Sequence, residues 1–187
     1  ICKRSVTLTS ANLSKEYDGK ALTNGDTTLA TESGWADGEG ASYTFTGSQK
    51  AVGSSANAFS YTLNNNTKAG NYIITKTEGT LTVTNRDAKY EITVTAKSAT
   101  EKYDGTEKSI SGLVTTTFTV EGSTYTVSGL TAEAKGTDAG TYTSAVTGTA
   151  VVKDSDGNDV TAQFSVKTVN GTLTVTKRDV TITSEDW

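Results

Sequence analysis

Gly79-Thr80-Leu81-Thr82-Val83-Thr84-Asn85-Arg86-Asp87 returns 92 residues later as Gly171-Thr172-Leu173-Thr174-Val175-Thr176-Lys177-Arg178-Asp179. In both copies apolar residues alternate with threonine, the period of a strand with one buried face. Working outward, Val6-Thr7-Leu8-Thr9 matches Ile92-Thr93-Val94-Thr95, and Lys15-Glu16-Tyr17-Asp18-Gly19 matches Glu101-Lys102-Tyr103-Asp104-Gly105, both at an offset of 86. Ser42-Tyr43-Thr44-Phe45-Thr46-Gly47 pairs with Thr124-Tyr125-Thr126-Val127-Ser128-Gly129 at 82, and Val52-Gly53-Ser54 with Ala139-Gly140-Thr141 at 87. Offsets that change only between landmarks mean that strands are kept while surface loops gain or lose residues. The chain reads as two diverged copies of one all-β module. Holding the terminal offset of 92 aligns Tyr72 with Phe164, so the similar Gly-x-Tyr motifs at Gly70 and Gly140 belong to different strands.

Composition fits that reading. The 187 residues include 38 threonines and no proline, histidine or methionine, and 34% are hydrophobic. β-branched, polar threonine suits the solvent face of a strand, and each module can build one thin core. A net charge of -4 with scattered Lys and Arg speaks against nucleic-acid partners and against a polybasic membrane site. The single cysteine, Cys2, cannot make an internal disulfide and is expected outside the first core. There is no run of about 18 apolar residues, so no membrane insertion is expected.

Period-2 alternation marks strands at Val6/Leu8, Tyr43/Phe45, Tyr61/Leu63, Leu81/Val83, Ile92/Val94, Phe118/Val120, Tyr125/Val127, Phe164/Val166 and Leu173/Val175, separated by Gly, Asn and Asp turns. About seven short strands per module favour two tandem Ig-like β-sandwiches in an elongated arrangement, with β-grasp-like modules as the alternative. The one place where the pattern allows a helical turn is Thr131 to Lys135. The expected domains are residues 1-85 and 86-178, with 179-187 starting a third repeat and Ile1-Cys2-Lys3-Arg4 ending a preceding one. The parent protein is therefore expected to continue in both directions. The near absence of a linker at Asn85-Arg86-Asp87 predicts a monomeric, semi-rigid rod whose partners are its neighbouring repeats.

Candidate sites divide by whether both copies share them. Tyr17-Asp18-Gly19 and Tyr103-Asp104-Gly105 read as structural turns, with Gly at positive φ and Asp bonded to local amides, in preference to catalytic acids. Without histidine, and with no reactive setting for Cys2, Ser-His and Cys-His chemistry is excluded and no enzyme is expected. Asp154-Ser155-Asp156-Gly157-Asn158-Asp159 begins like a calcium loop, yet its Gly is misplaced and no Glu closes it, so a solvated turn is expected and no metal or cofactor. Asp138-Ala139-Gly140-Thr141-Tyr142 has the form of a tyrosine corner. Trp35, in a Gly-rich stretch of the first copy alone, is either a stacking platform for a sugar or protein partner or a plug at the end of the module. Isopeptide or ester crosslinks depend on proximity, which sequence does not show.

Tyr17-Asp18-Gly19, Ala69-Gly70-Asn71-Tyr72 and the terminal Gly79 to Thr84 strand, repeated in the second copy, resemble the YDG-type and MBG-type repeats of long secreted or wall-anchored surface proteins of Gram-positive bacteria. The resemblance covers essentially the whole chain. It implies an extracellular, cell-surface location, no catalytic residues, and a structural role as stalk or spacer repeats of an adhesin. The alternative it leaves open is a ligand-binding adhesin module that recognises host glycans, mucin or a host protein such as immunoglobulin.

Overall fold

Alternating threonine and aliphatic residues give strands and little else. The computed structural model describes residues 2–184, and among them are sixteen strands, two three-residue 3-10 turns and no α-helix. The chain divides into two compact units, Ile1–Asp87 and Ala88–Trp187. The connector between them bonds back to the first unit. Arg86 Nη1 donates to the Tyr17 carbonyl at 3.0 Å, and the Asp87 amide donates to Glu16 Oε1 at 3.3 Å.

Unit one contains β1 (Arg4–Thr9), β2 (Leu13–Glu16), β3 (Thr31–Ser33), β4 (Ala41–Phe45), β5 (Gly53–Ala56), β6 (Phe59–Leu63), β7 (Tyr72–Thr77) and β8 (Thr80–Thr84). The run β1–β2 pairs in parallel with the run β7–β8 along its length, from Arg4↔Tyr72 to Glu16↔Thr84, always 68 residues apart. Both runs break at the same level, at Ser10 to Asn12 and at Glu78-Gly79. There the pleat inverts. Val6 and Leu8 are buried before the break and Tyr17 after it, while Tyr72 is buried before and Leu81 and Val83 after. The ribbon thereby leaves one sheet, ordered β3-β1-β7, and enters another, ordered β2-β8-β5. Strands β4 and β6 pair antiparallel and bring Tyr43, Phe45 and Phe59 onto Val6, Leu8 and Tyr72.

Unit two repeats the ribbon. Its strands are β9 (Tyr90–Thr95), β10 (Ala99–Lys102), β11 (Lys108–Ser111), β12 (Thr117–Val120), β13 (Ser123–Gly136), β14 (Gly140–Asp154), β15 (Phe164–Val169) and β16 (Gly171–Thr176). Strands β9 and β10 run parallel to β15 and β16, always 74 residues apart. The difference lies in the long β13–β14 hairpin, which slips register between Ser128 and Leu130. Gly129 and Gly148 meet there at φ +79° and +105°, and a Cβ on either would lie 2.1 Å from a carbonyl oxygen across the pair. Only glycine tolerates both the left-handed backbone and the approach. The bent hairpin serves β12 on one side of the kink and β11 and β16 on the other. In unit one the pairing that corresponds to β11 with β13 is reduced to the single bridge Leu22↔Gln49, the counterpart of Lys108↔Gly136.

One allowance of the sequence reading is not used. Thr131 to Lys135 is not a helical turn: it lies within β13, with Ala132 and Ala134 buried and the intervening polar residues exposed. Pairing with β14 and β11 on both sides supplies its backbone partners. The 3-10 turns stand instead at Ala69–Asn71 and Thr161–Gln163, immediately before Tyr72 and Phe164. Residues 179–184 carry no strand. The rest of the expected third repeat, 185–187, and Ile1 of the preceding one lie outside the described residues.

The break in the ribbon depends on glycine. A Cβ on Gly79 would meet the Ala11 carbonyl oxygen at 2.3 Å, and one on Gly171 would meet that of Lys97 at 2.1 Å, whereas Gly70 has nothing within 4 Å. Neither Gly79 nor Gly171 has a positive φ, so the constraint is steric alone. Gly79→Ala and Gly171→Ala should each destabilise their unit by about 2–3 kcal/mol, a fall of roughly 10 °C or more in thermal midpoint by circular dichroism. Gly70→Ala should leave that midpoint within about 2 °C.

Candidate functional site

Trp35 is delivered by a glycine. Gly34, at φ +103°, crosses β1 so closely that a Cβ would lie 2.0 Å from the Ser5 carbonyl oxygen, and Arg4 Nε donates to the Gly34 carbonyl at 3.2 Å. The indole then lands edge-on to Tyr72, with ring centroids 4.9 Å apart at 71°, and packs against the Val6, Leu8 and Phe59 core. Its Nε1 donates to Glu32 Oε1 at 2.9 Å, and the same oxygen accepts the Tyr43 hydroxyl at 2.6 Å. Tyr72 donates its hydroxyl to Glu39 Oε2 and accepts the Ala36 amide at 3.1 Å. Trp35 is therefore half-buried against the core, and its polar edge bonds to Glu32 at the surface.

The electrostatics keep these hydroxyls protonated. Burial, followed by the hydrogen bond to Glu32, pushes the Tyr43 phenol far up, and the hydrogen bond to Glu39 raises that of Tyr72. Both donate to carboxylates. Beside them an open depression of about 430 Å³ is lined by Arg4, Glu39, Asn71 and Tyr72 among others. Phe164 replaces Tyr72 in unit two, packs on Tyr125 at 4.7 Å, and carries no hydroxyl to recruit a carboxylate.

The two Tyr-Asp-Gly segments are turns with the same backbone logic. Gly19 and Gly105 sit at φ +75° and +82°, and Asp18 and Asp104 each accept the amide two residues on, at 2.9 Å. The neutralising cation comes from opposite sides: Lys15, before the turn, reaches Asp18 at 2.6 Å, while Lys108, after it, reaches Asp104 at 2.6 Å. For Asp18, burial pushes the carboxyl up, but Lys15 and the Lys20 amide outweigh it and hold the group below its usual value. Lys108 and then Thr106 hold Asp104 well below the carboxylate range. The tyrosines diverge, Tyr17 being 0% and Tyr103 37% exposed.

The remaining candidates also fold inward. Asp154 accepts the Asp156 and Asn158 amides at 3.0 and 2.9 Å, and Asp159 accepts the Thr161 amide at 2.9 Å, so both carboxylates bind loop backbone. Tyr142 donates to the Asp138 carbonyl at 2.9 Å, four residues upstream, which is the hydrogen bond of a tyrosine corner. Its ring fills the space a side chain at Gly136 would need, 2.1 Å from that Cβ position. A polar tie that the sequence did not single out lies at the ribbon's break. Ser10 Oγ donates to the Asn57 carbonyl at 2.7 Å and accepts the Gly79 amide at 2.8 Å, and Asn57 Nδ2 donates to the Ala11 carbonyl at 3.0 Å.

Two measurements test this assignment. Trp35→Ala should destabilise unit one by about 2–3 kcal/mol, less than a fully buried aromatic because the indole is half-buried; an exposed stacking platform would leave the midpoint unmoved. In a carboxyl NMR titration Asp104 should titrate below the usual range, and Lys108→Gln should bring it up. A depressed folded pKa means the pair stabilises above the unfolded value of about 3.9 and ceases to as pH falls through the folded one.

No protein-family model, curated protein or solved structure matches the chain.

Proposed function

We propose that the chain is a spacer: two structural repeats from the stalk of an extracellular bacterial surface adhesin, each an Ig-like β-sandwich that holds other domains away from the cell. The observation that carries this reading is the recurrence of one parallel ribbon, with the same break and the same terminal glycine, in two units that otherwise diverge. Features common to both copies serve the fold: the Asp-Gly turns bind their own backbone, and the ribbon passes between two sheets. A strand pair that changes sheets at a kink is a device of two-sheet packing. A β-grasp layout would lay a helix across its sheet, where the described residues offer only short 3-10 turns. The connector at Arg86 and Asp87 is tied to unit one's own turn.

A spacer should bind nothing itself and resist proteolysis. In a screen against glycan arrays, mucin and immunoglobulin, wild-type chain should show no saturable binding, and trypsin should leave it intact despite 17 Lys and Arg. Saturable binding abolished by a folded Trp35→Ala variant would replace the spacer reading with that of an adhesin module.

A further inference from the structure

We propose that each unit is a mechanical clamp, built to carry tension along the chain. Tension reaches a unit through the residues by which the chain enters and leaves it. In unit one these continue β1 and β8, whose runs are paired in parallel, with Arg4 opposite Tyr72 at one end and Glu16 opposite Thr84 at the other. The chain enters at the Arg4 end and leaves at the Thr84 end. Two parallel strands pulled from opposite ends must slide past each other, so every backbone hydrogen bond between them is strained at once. An antiparallel pair would place both pulling points at one end and part bond by bond.

Unit two has the same geometry, with Tyr90 opposite Phe164 and Lys102 opposite Thr176. The ladder is also bonded beyond its regular pairs. Ser10 and Tyr17 amides donate to the Thr77 and Thr84 carbonyls at 3.1 and 2.9 Å, and Ala96 and Tyr103 do the same to Val169 and Thr176, both at 2.9 Å. In unit one the break, where a sliding ladder would yield first, is bridged by Ser10 Oγ between Asn57 and Gly79. In unit two Ser98 Oγ accepts the Thr172 amide at 3.0 Å and Asn170 accepts that of Val146 at 3.0 Å, linking neighbouring strands at the same level. Sliding resistance is thus a property of each unit's topology, independent of where the protein is displayed.

Single-molecule pulling of the full chain tests the clamp by changing only the direction of load. Cys2 is exposed and takes one handle; Thr181→Cys or Lys68→Cys, both at exposed positions, takes the other. Pulling Cys2 against position 181 shears both ladders and should give two abrupt steps, each releasing about 300 Å of chain. Pulling Cys2 against position 68 loads only the Arg4↔Tyr72 end and should unfold unit one at least about tenfold faster at equal force, since forced unfolding reports the barrier crossed. Equal rates in the two directions, or gradual lengthening without steps under shear, would overturn the proposal.

Discussion

At Gly79 and Gly171 the first and last strands of each unit approach until a methyl group would touch a carbonyl oxygen at 2.3 or 2.1 Å. Everything else in the unit depends on that approach. It lets both strands of the ribbon kink together, which inverts the pleat and turns the buried face from one sheet to the other. A straight ribbon would bury a single face. The kink lets one strand pair supply both layers: Val6, Leu8 and Tyr72 on one side, Tyr17, Leu81 and Val83 on the other.

The two units fill the neighbourhood of that kink differently. In unit one β5 and β6 are separate, and the gap between them carries Asn57, fully buried and bonded to Ala11 and Asn24. In unit two the same path is one continuous strand, β14, bent at Gly148, with Ala96 and Ser144 where unit one has Ser10 and Asn57. A buried amide is worth keeping only while its partners are present, because an unmatched polar group costs about 1–3 kcal/mol. In unit one the Ser10 hydroxyl and the Asn57 amide tie the gap together, and in unit two the paired glycines at 129 and 148 bend the hairpin.

Local chemistry made much of this legible in the sequence. Period-2 alternation located strands at each of the marked pairs, and Asp-Gly turn chemistry located both Tyr-Asp-Gly turns, because each signal lies within a few residues. The register argument that aligned Tyr72 with Phe164 agrees with a 3-10 turn before each. What alternation does not encode is the partner. Nothing local in Val6 or Leu8 says that its strand pairs in parallel with one 68 residues on. Thr131-Ala132-Glu133-Ala134-Lys135 misled for the same reason. Its alanines and charges favour helix in isolation, and only the strands on both sides, with Ala134 packed on Leu173 and Val175, make it β. Trp35 was visible as a candidate, but its setting depends on Tyr72, a contact no spacing rule reaches.

The last residues of the chain show how far strand propensity falls short of a strand. Arg178-Asp179-Val180-Thr181-Ile182-Thr183 has the pattern of Arg4-Ser5-Val6-Thr7-Leu8-Thr9 at the start of unit one. Val6 and Leu8 are fully buried in β1, yet Val180 and Ile182 are 79% and 90% exposed and carry no strand. The pattern is the same and the partner differs: Val6 and Leu8 lie beside β7, and among the described residues no strand pairs with Val180 or Ile182. Since the first strand of a unit pairs with its last, no part of the ribbon can close until the whole unit is present, and the loop it closes is nearly the length of the unit. Such non-local closure makes folding slow but all-or-none. The unit's most conspicuous signature, the terminal Gly-Thr-Leu-Thr-Val-Thr strand, is thus also the element on which its cohesion waits.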